Sequence, residues 1–100
     1  MRDFVTSPKA DKFFKKIKEK PLREKFNATI NAVRENPYIG ERKTGNLKDI
    51  FCKDIYHAGV NYELAYKVVE SDGELIVIIL AGVRENFYDD LERYVKELDF

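Results

Sequence analysis

The sequence predicts an α+β fold, (β)ααβββα: a helical hairpin packed on a small antiparallel sheet and closed by a C-terminal helix. Three observations carry this. Apolar residues recur at helical spacing through the first third of the chain, residues 50–80 read as strands broken by two turn signals, and residues 87–98 return to helical spacing. At 100 residues with 44% hydrophobic character, the chain has the size of one folding unit with one core, spanning 1–100.

Each element has its own signal. Asp3 to Thr6 suits a short strand, and Ser7-Pro8 reads as an N-cap followed by a proline in the first helical position. Ala10, Phe13, Phe14 and Ile17 then mark a helix expected to end near Lys20, where Pro21 interrupts it. Leu22, Phe26, Ile30 and Val33 mark a second helix, which should stop at Asn36 because Pro37 disfavours helical backbone in the residue before it. Residues 37–46, with two glycines and the pair Arg42-Lys43, lack periodicity and read as a charged loop.

From Ile50 the spacing changes to two. Phe51, Lys53 and Ile55 alternate with Cys52, Asp54 and Tyr56, and residues 57–61 supply a turn. Tyr62, Leu64, Tyr66 and Val68 share one face of the next strand, with Glu63, Ala65 and Lys67 on the other. Ser71-Asp72-Gly73-Glu74 turns the chain into an unbroken apolar run from Leu75 to Leu80, which reads as a central strand covered on both faces. Phe87, Leu91, Tyr94, Val95 and Leu98 form the apolar stripe of the last helix, with acids near its start and bases nearer its end, as the helix dipole favours.

Bulk composition narrows the function. A single cysteine, Cys52, cannot form an internal bridge and suits a reducing, cytoplasmic setting; it reads as a strand residue rather than a nucleophile. The longest apolar run, Leu75 to Val83, is half a membrane span, so no membrane partner is expected. The formal charge is zero, yet residues 1–53 carry 14 Lys/Arg and 7 Asp/Glu while residues 54–100 carry 4 and 11. The basic half is a footprint for phosphate backbones or for an acidic protein; equally, the lysines of the first helix serve to solvate its outer face.

No P-loop, zinc-protease or nucleophile-elbow motif is present, and His57 has no second ligand beside it, so neither a metal nor another cofactor is expected. What remains is equipment for metal-free work on a phosphodiester, which requires a base, a cation at phosphorus and an acid. Arg84 follows the apolar strand and can hold two phosphate oxygens; Tyr88 lies one helical turn on. The plainer readings are an ion pair for Arg84 and a core phenol for Tyr88.

The order of elements, the segment Tyr62-Glu63-Leu64-Ala65-Tyr66-Lys67-Val68, the ending Val83-Arg84-Glu85-Asn86-Phe87-Tyr88-Asp89-Asp90-Leu91, and Asn36-Pro37 with Gly40 and Leu47 downstream resemble the RelE/ParE superfamily of bacterial type II toxins. For RelE-type members the resemblance implies a ribosome-dependent mRNA endonuclease working by 2′-hydroxyl attack. Arg84 then matches the phosphate-stabilising arginine and Tyr88 the C-terminal tyrosine, with Lys53, Lys48, Arg42 and Lys43 as RNA contacts. Where those members have a second arginine in a Tyr-Arg-Leu-x-Tyr strand, this chain has Glu63. Some superfamily members use a glutamate base, so Glu63 is a catalytic candidate beside its plainer reading as a solvent-facing strand residue or antitoxin contact. His57 is a further candidate because its pKa suits proton transfer. The resemblance equally implies a ParE-type inhibitor of DNA gyrase or an inactive antitoxin-binding domain, and under all three a cognate antitoxin as partner.

Overall fold

The computed structural model describes residues 1–98. The elements run β1 (Asp3–Thr6), α1 (Pro8–Lys16), α2 (Lys20–Glu35), β2 (Glu41–Arg42), a 3-10 turn (Gly45–Leu47), β3 (Ile50–His57), β4 (Val60–Glu70), β5 (Glu74–Val83) and α3 (Phe87–Leu98). The sheet has five strands in the order β1-β5-β4-β3-β2. The α+β class and the closing helix are as the sequence predicts. The sheet is mixed, however: β3, β4 and β5 form the expected antiparallel meander, while β1 pairs parallel to β5, with Thr6 beside Ile78.

Two helices cover one face of the sheet and one covers the other. Ala10, Ile17, Leu22, Phe26, Ile30 and Val33 meet Leu64, Tyr66, Ile76 and Ile78 on the first face. Phe87, Leu91 and Tyr94 of α3 meet Cys52, Ala65, Ile79 and Leu80 on the second. β5 therefore lies in the interior of the sheet between two cores, which is why its sequence shows no polar alternation.

A β-bulge lets β5 serve both cores. Ala65 pairs with Leu80 and Tyr66 with Ile78, leaving Ile79 as the extra residue. Its carbonyl accepts a hydrogen bond from Ser7 Oγ at 2.5 Å, while the Ser7 N–H bonds to Ile78 O at 2.9 Å. The same hydroxyl oxygen accepts from the Ala10 N–H at 3.1 Å and caps α1. Ser7 thus ties strand edge, bulge and helix start together.

Two boundaries differ from those expected. α1 stops at Lys16, because Ile17 takes extended backbone and is buried, its carbonyl receiving the Arg23 guanidinium at 2.5 Å. Pro21 sits in the first turn of α2 rather than between the helices, a place where its missing N–H leaves no bond unmade. Within the expected loop 37–46, Glu41 and Arg42 pair with Cys52 and Phe51 as an edge strand. The buried Tyr66 hydroxyl fixes the approach to that strand, donating to Pro37 O at 2.7 Å and accepting from Gly40 N at 3.0 Å. A Cβ on Gly40 would lie 2.7 Å from that oxygen, so glycine is needed there.

Replacing Ser7 by Ala removes the cap and leaves the bulge carbonyl buried without its donor. Chemical denaturation of Ser7→Ala should show a loss of about 1–3 kcal/mol; a midpoint unchanged from wild type would show that the bulge does not depend on Ser7.

Candidate functional site

The two-residue turn at Ala58-Gly59, both at positive φ, sets the register of β3 against β4. Counting back from it, Asp54 lies opposite Glu63 and Cys52 opposite Ala65. These residues face α3. On the other side of Glu63 the partner is Gly82, which carries no side chain. A cavity of about 230 Å³ opens here, lined by Ile39, Glu41, Cys52, Lys53, Asp54, Glu63 and Tyr88.

Glu63 is 1% exposed, and neither of its carboxylate oxygens has a hydrogen-bond partner. It is not the solvent-facing strand residue that its polarity suggested, because α3 and the 37–43 segment cover this face of β4. Arg84 stands next to it, its Nε 3.7 Å from Glu63 Oε1 and its side chain 55% exposed. The Arg84 N–H bonds to Asn61 O, and its carbonyl accepts from the Phe87 N–H in the turn that starts α3, with Asn86 at positive φ. That turn brings Tyr88 back over the sheet. Lys43 Nζ lies 4.6 Å from the Tyr88 ring centre and 3.0 Å from Glu41 Oε1.

Protonation follows from this packing. Burial pushes the Glu63 carboxyl up to about 7, the facing Asp54 carboxylate adds to the effect, and Arg84 and Tyr88 offset part of it. Burial, with the Glu63 charge next to it, pushes the Cys52 thiol up to about 12, so the thiol stays protonated and is a poor nucleophile. Burial also raises Tyr88, which keeps its phenolic proton at neutral pH. Burial works against the Lys43 charge, but Tyr88 and Glu41 outweigh it and hold the ammonium above its ordinary range. A carboxyl group that titrates near neutrality thus sits beside one guanidinium, one ammonium and one phenol, the groups needed to move a proton and steady a negative charge.

Of the eight candidate residues, four come together: Glu63, Arg84, Tyr88 and Lys43. Lys53 contributes to the cavity wall, but strand alternation groups it with Phe51 and Ile55 on the α1/α2 side. Arg42 also turns away, 5.6 Å over the Phe51 ring and 3.0 Å from Asp49. Lys48 is exposed at the end of the 3-10 turn. His57 lies at the far end of β3, its Nε2 3.8 Å from Glu19 in the connection between α1 and α2, across the sheet from the cavity. Glu41, Cys52 and Asp54 complete the cavity and were not singled out from the sequence. The two-residue turn contains the signal for the last two, since it fixes which β3 residues face Glu63.

Residues 4–92 match the family described as ParE-like toxin of type II bacterial toxin-antitoxin system. The chain belongs to this family. Its fold is similar to that of an E. coli toxin RelE mutant in the free state, at TM-score 0.76 and 17% identity over 99% of this chain and 98% of that one. It is also similar to a chain of the intact E. coli RelBE toxin-antitoxin complex, at TM-score 0.66 and 22% identity over 82% and 95% of the two chains, and to isolated E. coli RelE, at TM-score 0.66 and 21% identity over 93% and 98%. No curated protein sequence matches. Among the described residues no helix is long and apolar enough to cross a membrane.

The folded chain keeps the Glu63 proton to about pH 7 against an ordinary value of 4.5. Between these values the folded chain binds more protons than the unfolded one, so stability falls as pH rises through that window and levels off above it. Glu63→Gln keeps the shape without the charge. Its stability relative to wild type should rise from near zero at pH 4 to on the order of 3 kcal/mol at pH 8, measured by thermal or urea unfolding; an advantage independent of pH would show that Glu63 does not titrate this way.

Proposed function

We propose that this ParE-like toxin is a metal-independent endoribonuclease that cuts mRNA on the ribosome, with Glu63 as its general base. The observation that carries this reading is the buried Glu63 carboxylate, without a hydrogen-bond partner, in the wall of a cavity and 3.7 Å from Arg84. Such a group destabilises the fold when charged, a cost that a catalytic base offsets. A base poised near 7 is matched to proton transfer at neutral pH.

In the proposed reaction Glu63 takes the proton of a ribose 2′-hydroxyl as that oxygen attacks phosphorus. The bond from phosphorus to the 5′-oxygen breaks, and that oxygen receives a proton from Tyr88, which keeps its own at neutral pH. The products are a 2′,3′-cyclic phosphate and a 5′-hydroxyl. Arg84 and Lys43 steady the negative charge gathering on the non-bridging oxygens. His57, across the sheet, has no part in this reading, and Arg42, Lys48 and Lys53 serve as peripheral RNA contacts at most. Cutting translated mRNA places the work in the cytoplasm.

We further propose an antitoxin partner, supported by the RelBE neighbour, which is a toxin-antitoxin complex. The exposed lysines of α1 and its flank, among them Lys9, Lys12, Lys15 and Lys16, suit an acidic or amphipathic segment of such a partner. A second reading, inhibition of DNA gyrase, is favoured by the three carboxylates Glu41, Asp54 and Glu63 around the cavity, which discourage a polyanion.

Mapping mRNA ends after tightly controlled expression separates the readings. New 5′ ends at translated codons are expected. Intact transcripts with a DNA-damage response would support gyrase inhibition, and harmless expression would indicate a binding domain. With purified protein and programmed ribosomes, Arg84→Ala should slow cleavage on the order of 10²-fold or more. The wild-type rate should rise about tenfold per pH unit below about 7, where Glu63 is protonated, and level off above it. Glu63→Gln should be slow at every pH, and a variant that keeps the rise would clear Glu63 of the role.

A further inference from the structure

The cavity is chemically odd for a phosphate site. Its floor is the Glu63 carboxylate, with Asp54 directly across the strand pair and Glu41 on the neighbouring edge strand. Lys43 is engaged with Glu41 at 3.0 Å. The Arg84 contact to Glu63, at 3.7 Å, is beyond hydrogen-bond length, and its guanidinium stays largely in solvent. Neither Glu63 oxygen has a hydrogen-bond partner in good geometry, although the side chain lines the cavity, is 1% exposed and has Asp54 and Tyr88 as its neighbours. A buried carboxylate in that condition favours a cation that can donate two hydrogen bonds at once.

A metal ion is poorly suited, because among the described residues no three His, Cys, Asp or Glu side chains come together as a ligand group. A guanidinium is better matched: its planar fork fits the two oxygens of one carboxylate, its remaining N–H groups reach a neighbouring acid, and its face stacks on an aromatic ring such as Tyr88. The apolar part of the wall, Ile39, suits the methylene stem of an arginine.

We infer that this cavity receives the side chain of an arginine presented by a polypeptide partner, forked onto the two oxygens of Glu63 with Asp54 beside it. Occupancy holds the carboxylate in an ion pair and excludes the ribose hydroxyl, so the partner silences the site by taking its base; that consequence rests on the nuclease reading above, while the binding itself does not. The groups that face Glu63 are Asp54 and Cys52 from β3, Glu41 and Lys43 from the edge segment, Arg84 from the turn and Tyr88 from α3. Burial pushes the Glu63 carboxyl up to about 7, and the guanidinium needs it ionised. Affinity should therefore be full above about pH 7 and fall about tenfold per unit below it.

The test uses the full chain, with its glutamate side-chain carboxyls labelled with carbon-13 and followed by NMR. It is titrated with N-acetylarginine methylamide, with the neutral citrulline analogue and with methylguanidinium. The arginine derivative should move the Glu63 resonance saturably and lower its titration midpoint. The citrulline analogue should bind about tenfold or more weakly, as expected for loss of a charged hydrogen-bonding partner. Followed through the resonance of Glu41, which also lines the cavity, binding should be abolished by Glu63→Gln and weakened severalfold by Asp54→Asn with the fold retained. Equal binding of citrulline, binding that survives Glu63→Gln, or no binding at pH 8 would overturn the inference. Methylguanidinium binding as tightly as the arginine derivative would overturn the polypeptide source. Cleavage of ribosome-bound mRNA is assayed separately: binding without cleavage sinks the nuclease reading alone, and cleavage without binding sinks this one alone.

Discussion

The bulge at Ile79 is the constraint on which the rest of the molecule depends. Upstream of it the even-numbered residues Ile76 and Ile78 face the two N-terminal helices; downstream, Ala81 does so. The extra residue reverses the phase of β5 without disturbing β4, where Leu64, Tyr66 and Val68 keep one face throughout. Ile79 and Leu80 can then both enter the core beneath α3. The same reversal sets Gly82 beside Glu63 and sends Arg84 toward the α3 side of the sheet. An uninterrupted strand would place Arg84 among the helices on the other face, with no carboxylate to meet.

What the bulge creates, the cavity then uses. A carboxylate on an interior strand is unfavourable unless something compensates for its desolvation. Here the compensation is incomplete: Arg84 is close but not bonded, Asp54 adds like charge, and Gly82 leaves space where a side chain could have filled the site. A fold with two well-packed cores tolerates one such residue. The strain is local, and it leaves a carboxyl group that keeps its proton up to about pH 7.

The helices, the meander and the closing helix were legible in the sequence because each is written in local periodicity and in turn residues. Ser7-Pro8, Ala58-Gly59 and Asp72-Gly73 punctuate the chain where the structure turns. Pairing is not local and is not written in the same signals. Nothing in residues 3–6 says that β1 lies parallel beside β5, and nothing in Glu41-Arg42 distinguishes a two-residue edge strand from a loop. The bulge hides within an apolar run whose residues are all suited to burial. At the site, Arg84 and Tyr88 could be found because they stand one helical turn apart. Glu63 could be found but was credited with the wrong environment: residue type alone favours exposure for an acid, and only the covering helix reverses it.

The charge division along the chain has a different meaning in three dimensions. The basic first half includes α1 and α2, which cover one face of the sheet, whereas the cavity opens on the other. Most of the helix lysines can attract or orient a partner at their own surface; Lys9 is an exception, its ammonium 4.8 Å from the ring centre of Tyr94 in α3. Within the cavity the charge balance is set by Lys43 and Arg84 against Glu41, Asp54 and Glu63, and it leans negative whenever Glu63 is ionised. These formal charges sum to zero while Glu63 is protonated and to one negative charge once it is ionised, which favours a cation. One proton on one buried carboxyl group thus decides how strongly the site draws a cation.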